Sequence, residues 1–132
     1  MGPNHQVNVV SNGETCVLKE YHSIRQFMEN LCVQNGTTLE GCYKASGALL
    51  KNTYKRPIYI GGACNQIFIP TSSIKNINST WISLDYLMNI SHQQISSYEG
   101  LSVSKHSLRK HLMNGLLLRN VIFENDYKKR NF

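Results

Sequence analysis

The chain contains 132 residues, which is the length of one domain that can bury a hydrophobic core of its own. Hydrophobic residues make up 41% of the sequence and charged residues 17%, and these proportions exclude an intrinsically disordered chain. Lys and Arg number 14 against 8 Asp and Glu, so the formal charge is +6 and predicts an anionic partner, nucleic acid first.

Neither a membrane span nor an export signal is expected. A transmembrane helix needs about 20 consecutive apolar residues, and residues 1–15 lack the basic start and apolar stretch of a signal peptide. We therefore expect a cytoplasmic protein with no membrane contact. Its cysteines contain no CxxC pair, which predicts no metal site, and Cys16, Cys32, Cys42 and Cys64 are expected to be reduced and buried.

The N-terminal part predicts a hairpin followed by a helix. Alternating valines at residues 7–10, a turn signal at residues 11–13, and a continuation from Thr15 to Tyr21 are typical of a hairpin. From Ser23 onwards, apolar residues recur at steps of three and four, which predicts a helix that Ser23 caps.

A second helix is predicted directly afterwards. Asn35-Gly36 is expected to end the first helix, and Thr37 or Thr38 can cap the next. Arg56-Pro57 is expected to stop it, because proline disfavours helical geometry in the residue before it.

Three short strands and a final helix are predicted in the second half. The strands are expected at residues 58–60, 67–69 and 81–84, with Gly61-Gly62 turning the chain after the first. Ser104 or Ser107 can cap the final helix, which the apolar run at residues 121–123 can end as a strand.

These elements predict a single α+β domain over residues 1–132, in which a small antiparallel sheet has two or three helices packed on it. Residues 1–6 are expected to be a loose end, and residues 126–132 a basic tail.

An enzyme is not expected. The GxxxxGK[ST], GxGxxG, HExxH and GxSxG motifs do not occur, and Asp85 and Glu99 are the only carboxylates between Gly41 and Phe123. A thiol nucleophile would need Cys64 beside a histidine, but nothing in the sequence indicates such a pair. We expect the histidines, including His111, at the surface. We therefore predict no catalytic residue and no cofactor.

The cations are concentrated in two stretches without acids. No Asp or Glu occurs between Gly41 and Leu84 or between Gly100 and Phe123. This distribution predicts a positive surface patch, although basic side chains scattered over all faces remain an alternative. A classical helix-turn-helix over residues 23–51 is a minor alternative, in which Lys44 and Lys51 would lie on the recognition helix.

One stretch carries a more specific pattern. Residues 54–84 read YKRPIYIGGACNQIFIPTSSIKNINSTWISL, with basic residues and Pro-Ile before a strand, then NQIF, PTSS and TWIS in order. This stretch resembles the central signature of the competence transcription factor family, ComK, of Gram-positive bacteria. The resemblance extends over about residues 37–120. Family members have a C-terminal extension for protease-adaptor control, so a chain that stops at Phe132 is expected to be a short member.

The resemblance implies a sequence-specific DNA-binding activator. Family members bind AT-rich boxes, largely through the minor groove, as paired dimers, so double-stranded AT-rich DNA and a second copy are the expected partners. Minor-groove proteins use Lys, Arg, Asn and Gln for this purpose. For Asn65 and Gln66, turn chemistry before a strand is an equal alternative. The residues expected to contact DNA are Lys44, Lys51, Lys55, Arg56, Asn65, Gln66, Lys75, Lys105, Arg109 and Lys110.

A second hypothesis gives the basic surface a protein partner. A short relative of this kind, carried by a phage or another mobile element, would bind and inhibit a protein or a protein–nucleic-acid complex. It would bind DNA weakly and without sequence preference, whereas the regulator would prefer AT-rich duplexes.

Overall fold

The computed structural model describes residues 7–11, 14–18, 20–51, 56–71, 77, 79–91 and 105–130. Four helices and five strands in two antiparallel sheets occur in these residues, which confirms the α+β class and exceeds the two or three helices expected. In chain order the elements are β1 (Val7–Ser11), β2 (Glu14–Leu18), α1 (Ile24–Gln34), α2 (Leu39–Leu50), β3 (Ile58–Ile60), β4 (Gln66–Pro70), β5 (Trp81–Ser83), α3 (Leu84–Ser91) and α4 (Lys105–Arg130).

Strands β1 and β2 form the predicted N-terminal hairpin. They are antiparallel, with Val7 opposite Leu18, while residues 12–13 of the expected turn lie outside the described residues. Strand β2 ends at Leu18, so Tyr21 does not continue the hairpin; its ring packs edge-on against Phe27 at a centroid distance of 5.3 Å.

Side-chain caps begin both N-terminal helices at the predicted residues. Ser23 Oγ accepts a hydrogen bond of 3.1 Å from the Gln26 N–H, and Thr38 Oγ1 accepts one of 3.0 Å from the Gly41 N–H. Each bond satisfies a backbone donor that has no partner within its own helix. The local sequence therefore determines where α1 and α2 begin.

The prediction that Pro57 stops α2 was wrong in position. The helix ends at Leu50, and Lys51 adopts the left-handed conformation with a φ of 55°. The Lys51 N–H donates to the Gly47 carbonyl at 2.9 Å, which satisfies a carbonyl at the end of the helix. The backbone thus turns away before the proline is reached.

The sheet of β3, β4 and β5 is the middle layer of the fold. Strand β4 is central and antiparallel to both neighbours. Because side chains alternate along a strand, Ile58 and Phe68 share one face, and Ile67, Ile69 and Ile82 share the other. The first face packs against α1 and α2, and the second against α3 and α4.

Two predictions about the C-terminal elements were wrong. Leu84 begins α3 instead of continuing β5, because Ser83 Oγ accepts a hydrogen bond of 3.1 Å from a backbone N–H in the first turn of the helix. Residues 121–123 continue α4 and form no strand. Leu118 and Ile122, four residues apart, both pack on the second face of the sheet, and this contact requires helical spacing.

Gly115 allows α4 to approach this face closely. A Cβ atom at this position would lie 2.8 Å from Leu84 Cδ1 and 3.0 Å from Ile69 Cδ1. Real Cβ contacts are longer, so a side chain at this position would force the ends of the Leu84 and Ile69 side chains to shift. The glycine that weakens the helix in isolation therefore favours the close packing of α4 in the fold.

The cysteines occupy different environments. Cys32 and Cys42 are buried between α1, α2 and the sheet, as predicted, whereas Cys64 is half-buried and Cys16 is exposed, so the prediction was wrong for Cys16. Burial, with the Cys42 thiol beside it, raises the pKa of Cys32 from 9.0 to about 12. Cys32 is therefore a neutral thiol at physiological pH, and low reactivity follows because the thiolate is the nucleophile.

Alkaline pH is expected to destabilise the fold through Cys32. The folded state binds the thiol proton more tightly than the unfolded chain, so this stabilisation is complete below pH 9.0 and is lost as the pH rises towards about 12. Urea unfolding from pH 9.0 upwards should show a steeper loss of stability for the wild type than for Cys32→Ala. Equal slopes would show that Cys32 has an ordinary pKa.

Candidate nucleic-acid interface

Four of the cations predicted to contact DNA are exposed on two neighbouring helices. Lys44 lies in α2 and Lys51 at its C-cap, while Arg109 and Lys110 lie near the start of α4. Helices α2 and α4 contact each other. The fold therefore brings two basic segments of the chain, far apart in sequence, onto adjacent elements.

Lys44 has an acidic neighbour on its own helix. Its Nζ lies 3.2 Å from Glu40 Oε1, and both side chains are 76% exposed. An exposed pair of this kind contributes only about 0.3–0.5 kcal/mol, so a phosphate can displace Glu40. Glu40 also lies in the first turn of α2, the end that a helix-turn-helix protein inserts into the major groove, and this acid disfavours the helix-turn-helix alternative.

Arg56 is packed onto α2. Its Nε donates to the Tyr43 carbonyl at 2.9 Å, and its guanidinium carbon lies 3.8 Å from the centroid of the Tyr43 ring. Gly47 leaves room for this side chain, since a Cβ there would lie 2.7 Å from the guanidinium carbon. Arg56 thus holds the segment before β3 against α2, and this packing role is independent of any contact with DNA.

Loss of Arg56 is therefore expected to destabilise the fold. Arg56→Ala removes a charge-assisted hydrogen bond and a cation–π contact, and the half-buried site suggests a loss of about 1–2 kcal/mol in the free energy of unfolding. Arg56→Lys should recover little, because lysine has no planar guanidinium. Denaturant unfolding measures both variants beside Lys44→Ala, an exposed control expected to lose about 0.5 kcal/mol at most. A loss for Arg56→Ala equal to the control would contradict the packing role.

Asn65 and Gln66 line a groove between the β3–β4 turn and α4. Asn65 has a φ of 46°, and its Oδ1 accepts a hydrogen bond of 2.7 Å from the Tyr59 hydroxyl. This bond uses the acceptor of the side chain and leaves its NH₂ group as the donor that can reach a ligand. The groove has a volume of about 740 Å³, and its polar and aromatic lining includes Tyr59, Asn65, Gln66, Asp85, Arg119 and Phe123.

Arg119 and Phe123 are groove residues that the sequence analysis did not single out. The Arg119 guanidinium carbon lies 6.0 Å from the Phe123 ring centroid, and Phe123 is 63% exposed. Arg119 Nη1 donates to Met88 Sδ at 3.5 Å, while its buried Nε has no hydrogen-bond partner within the described part of the chain. A spacing of four residues on one helix was the available signal, since it places the arginine beside the ring.

The charge of the groove is balanced. The lining contains one carboxylate, that of Asp85, as well as the guanidinium of Arg119. The groove therefore offers hydrogen-bond donors and acceptors beside two aromatic rings, Tyr59 and Phe123, rather than a concentration of positive charge. Such a surface is suited to contacts with base edges, while the exposed cations on α2 and α4 are suited to phosphates.

The remaining predicted residues are placed as follows. Lys55 and Lys75 lie outside the described residues, and Lys105 is the first residue of α4. His111, expected at the surface, is buried on the packed side of α4. Over the described ranges, no group of three or more His, Cys, Asp or Glu side chains could hold a metal ion, and none of the helices there has the length and hydrophobicity of a membrane span.

Comparison with known families matches nearly the whole chain. A family model described as ComK protein matches residues 3–126, a span that begins before β1 and extends well into α4. No curated protein and no solved structure matches the chain. Because the family match covers far more than the signature at residues 54–84, the chain belongs to the ComK family.

Proposed function

We propose that the chain is a DNA-binding transcriptional regulator of the competence type, which reads AT-rich duplex DNA largely through the minor groove. The family match over residues 3–126 carries this proposal, because ComK membership suggests a competence transcription factor. The protein is proposed to be cytoplasmic, to have no enzymatic activity and to bind DNA as a homo-oligomer.

The exposed cations support a phosphate-binding role. Lys51 and Arg109 lie on contacting helices, and Lys44 and Lys110 extend the same two segments. Each phosphate that is neutralised releases a counterion, which makes affinity strongly dependent on salt. We propose these four residues, together with Lys55, Arg56, Lys75 and Lys105, as the backbone contacts.

The groove supports a base-reading role. The minor groove presents acceptor atoms on A·T pairs and an additional amino donor on G·C pairs. The amide groups of Asn65 and Gln66 can donate to those acceptors, and Arg119 adds a cation from α4 on the other side of the groove. Architectural proteins of the minor groove combine such donors with an exposed apolar side chain, the position that Phe123 occupies here.

Fluorescence anisotropy on two labelled duplexes of equal length tests the proposal. One duplex carries spaced A and T tracts, the other is rich in G·C, and both are titrated at low and physiological salt. We expect a preference for the AT-rich duplex that persists at physiological salt, with log K falling by about 0.9 per phosphate neutralised for each log unit of salt. Equal, salt-labile binding to both would overturn sequence-specific recognition and favour a protein partner.

A further inference from the structure

One side of α4 presents apolar side chains to solvent between two opposite charges. Lys110, Met113, Leu117, Val121 and Glu124 follow one another at steps of three or four residues, so they line one side of the helix. Met113 is 65% exposed and Leu117 is 52% exposed. Lys110 and Glu124 are exposed as well, and Val121 is half-buried. We name these five residues the α4 stripe.

The α4 stripe is turned away from the sheet. The packed side of the helix contains His111, Gly115 and Leu118, all of which are buried. With 3.6 residues per turn, these positions lie roughly opposite Leu117 and Met113. Apolar side chains placed together on the solvent side of a helix mark a candidate interaction site.

The charges at the ends of the stripe are arranged symmetrically. Lys110 and Glu124 each lie seven residues from Leu117, one towards each end of the helix. If a second α4 lies antiparallel and crosses at Leu117, each Lys110 meets the Glu124 of the other copy. The same arrangement places Leu117 against Leu117 and Met113 against Val121, so that apolar residues meet at the centre and opposite charges at both ends.

We propose that the α4 stripe is the contact surface of a two-fold symmetric homodimer with antiparallel α4 helices. A two-fold axis makes an interface self-complementary, and the charge order of the stripe has this property. A parallel arrangement would instead place Lys110 against Lys110 and Glu124 against Glu124. The inference deepens the proposed function by stating how two copies meet. It rests on the proposed function in one respect only, namely that two copies bind DNA together.

The proposal divides the cations of α4 between two tasks. Lys110, proposed above as a phosphate contact, is shared with Glu124 of the second copy in the dimer, whereas Arg109, one residue earlier, lies about 100° around the helix from Lys110 and is left for phosphate alone. DNA affinity of the dimer therefore depends more on Arg109 than on Lys110.

Sedimentation velocity without DNA tests the interface itself. The wild type should show a mass that rises with concentration from the monomer value of 15.0 kDa towards twice that value. Leu117→Glu places two carboxylates face to face at the axis and should weaken dimerisation at least tenfold. Val33→Glu is the matched control, since Val33 is 63% exposed on α1, and it should dimerise like the wild type. A wild type that stays monomeric, or a Leu117→Glu variant that dimerises normally, would overturn the proposal.

A charge exchange tests the antiparallel arrangement. Lys110→Glu and Glu124→Lys should each weaken the dimer, because each places like charges opposite each other. The double variant restores opposite charges and should return to within a few-fold of the wild-type dissociation constant. Failure of the double variant to recover, with an unchanged circular dichroism spectrum, would overturn this arrangement. Because no DNA is present, these results are independent of whether the protein prefers AT-rich duplexes.

Discussion

The Ile69→Ala variant is expected to lose about 2–5 kcal/mol in the free energy of unfolding. Ile69 lies in the central strand β4, is 0% exposed, and packs in one buried cluster with Leu84 of α3 and Leu118 of α4. A strand and two helices meet at this side chain, so the surroundings cannot collapse fully into the cavity that alanine leaves. The midpoint and slope of urea unfolding measure the loss.

The control for this variant is the same chemical change at an exposed position. Ile77 is 52% exposed, and Ile77→Ala should stay within about 0.5 kcal/mol of the wild type. Similar losses for the two variants would mean that Ile69 does not lie at the junction of the sheet with α3 and α4.

The Lys51→Ala/Arg109→Ala variant is expected to bind AT-rich duplex about 1–3 kcal/mol more weakly, which is about 5- to 150-fold in the dissociation constant. Both side chains are exposed, Lys51 at the C-cap of α2 and Arg109 in α4, and these two helices contact each other. If both contact phosphates, the slope of log K against log salt should become shallower by about 2 units. Anisotropy titrations at several salt concentrations give both quantities.

Single variants separate a specific contact from a general loss of charge. Lys51→Ala and Arg109→Ala are compared with Arg25→Ala, which removes one positive charge from α1, where Arg25 Nε lies 3.0 Å from Glu29 Oε1. The control should bind DNA almost like the wild type. If all three weaken binding equally, net charge alone explains the affinity and the assignment of α2 and α4 to the DNA surface is wrong.

The elements that depend on neighbouring residues could be predicted from the sequence. Ser23 and Thr38 cap their helices through bonds to residues only three positions away. The alternation of Ile67 and Ile69 in β4 matches the two faces of a strand packed on both sides. The signature at residues 54–84 was enough to indicate the family, and the match over residues 3–126 confirmed it.

The candidate site could be predicted only in part, because the sequence shows which residues are cationic but not which residues they contact. Arg56 was expected at the DNA surface, yet its guanidinium is held by Tyr43, which precedes it by 13 residues. Asn65 was expected as a DNA donor, but its position in a groove with Arg119 depends on α4 packing across β4. No local pattern contains either contact.

Local patterns in the chain were sufficient to predict the class of the fold, the starts of α1 and α2, the strands β3 and β4, and the family. These features follow from short-range hydrogen bonds, from the spacing of apolar residues in helices and strands, and from the order of short motifs within residues 54–84. Long-range packing, in contrast, keeps residues 121–123 helical and brings Gly115 close to the Ile69 and Leu84 side chains, and no local pattern predicts either feature. Apolar burial is not directional, so a short apolar run such as residues 121–123 can bury its side chains either as a strand or as a helix. The surface that the run packs against determines which of the two forms.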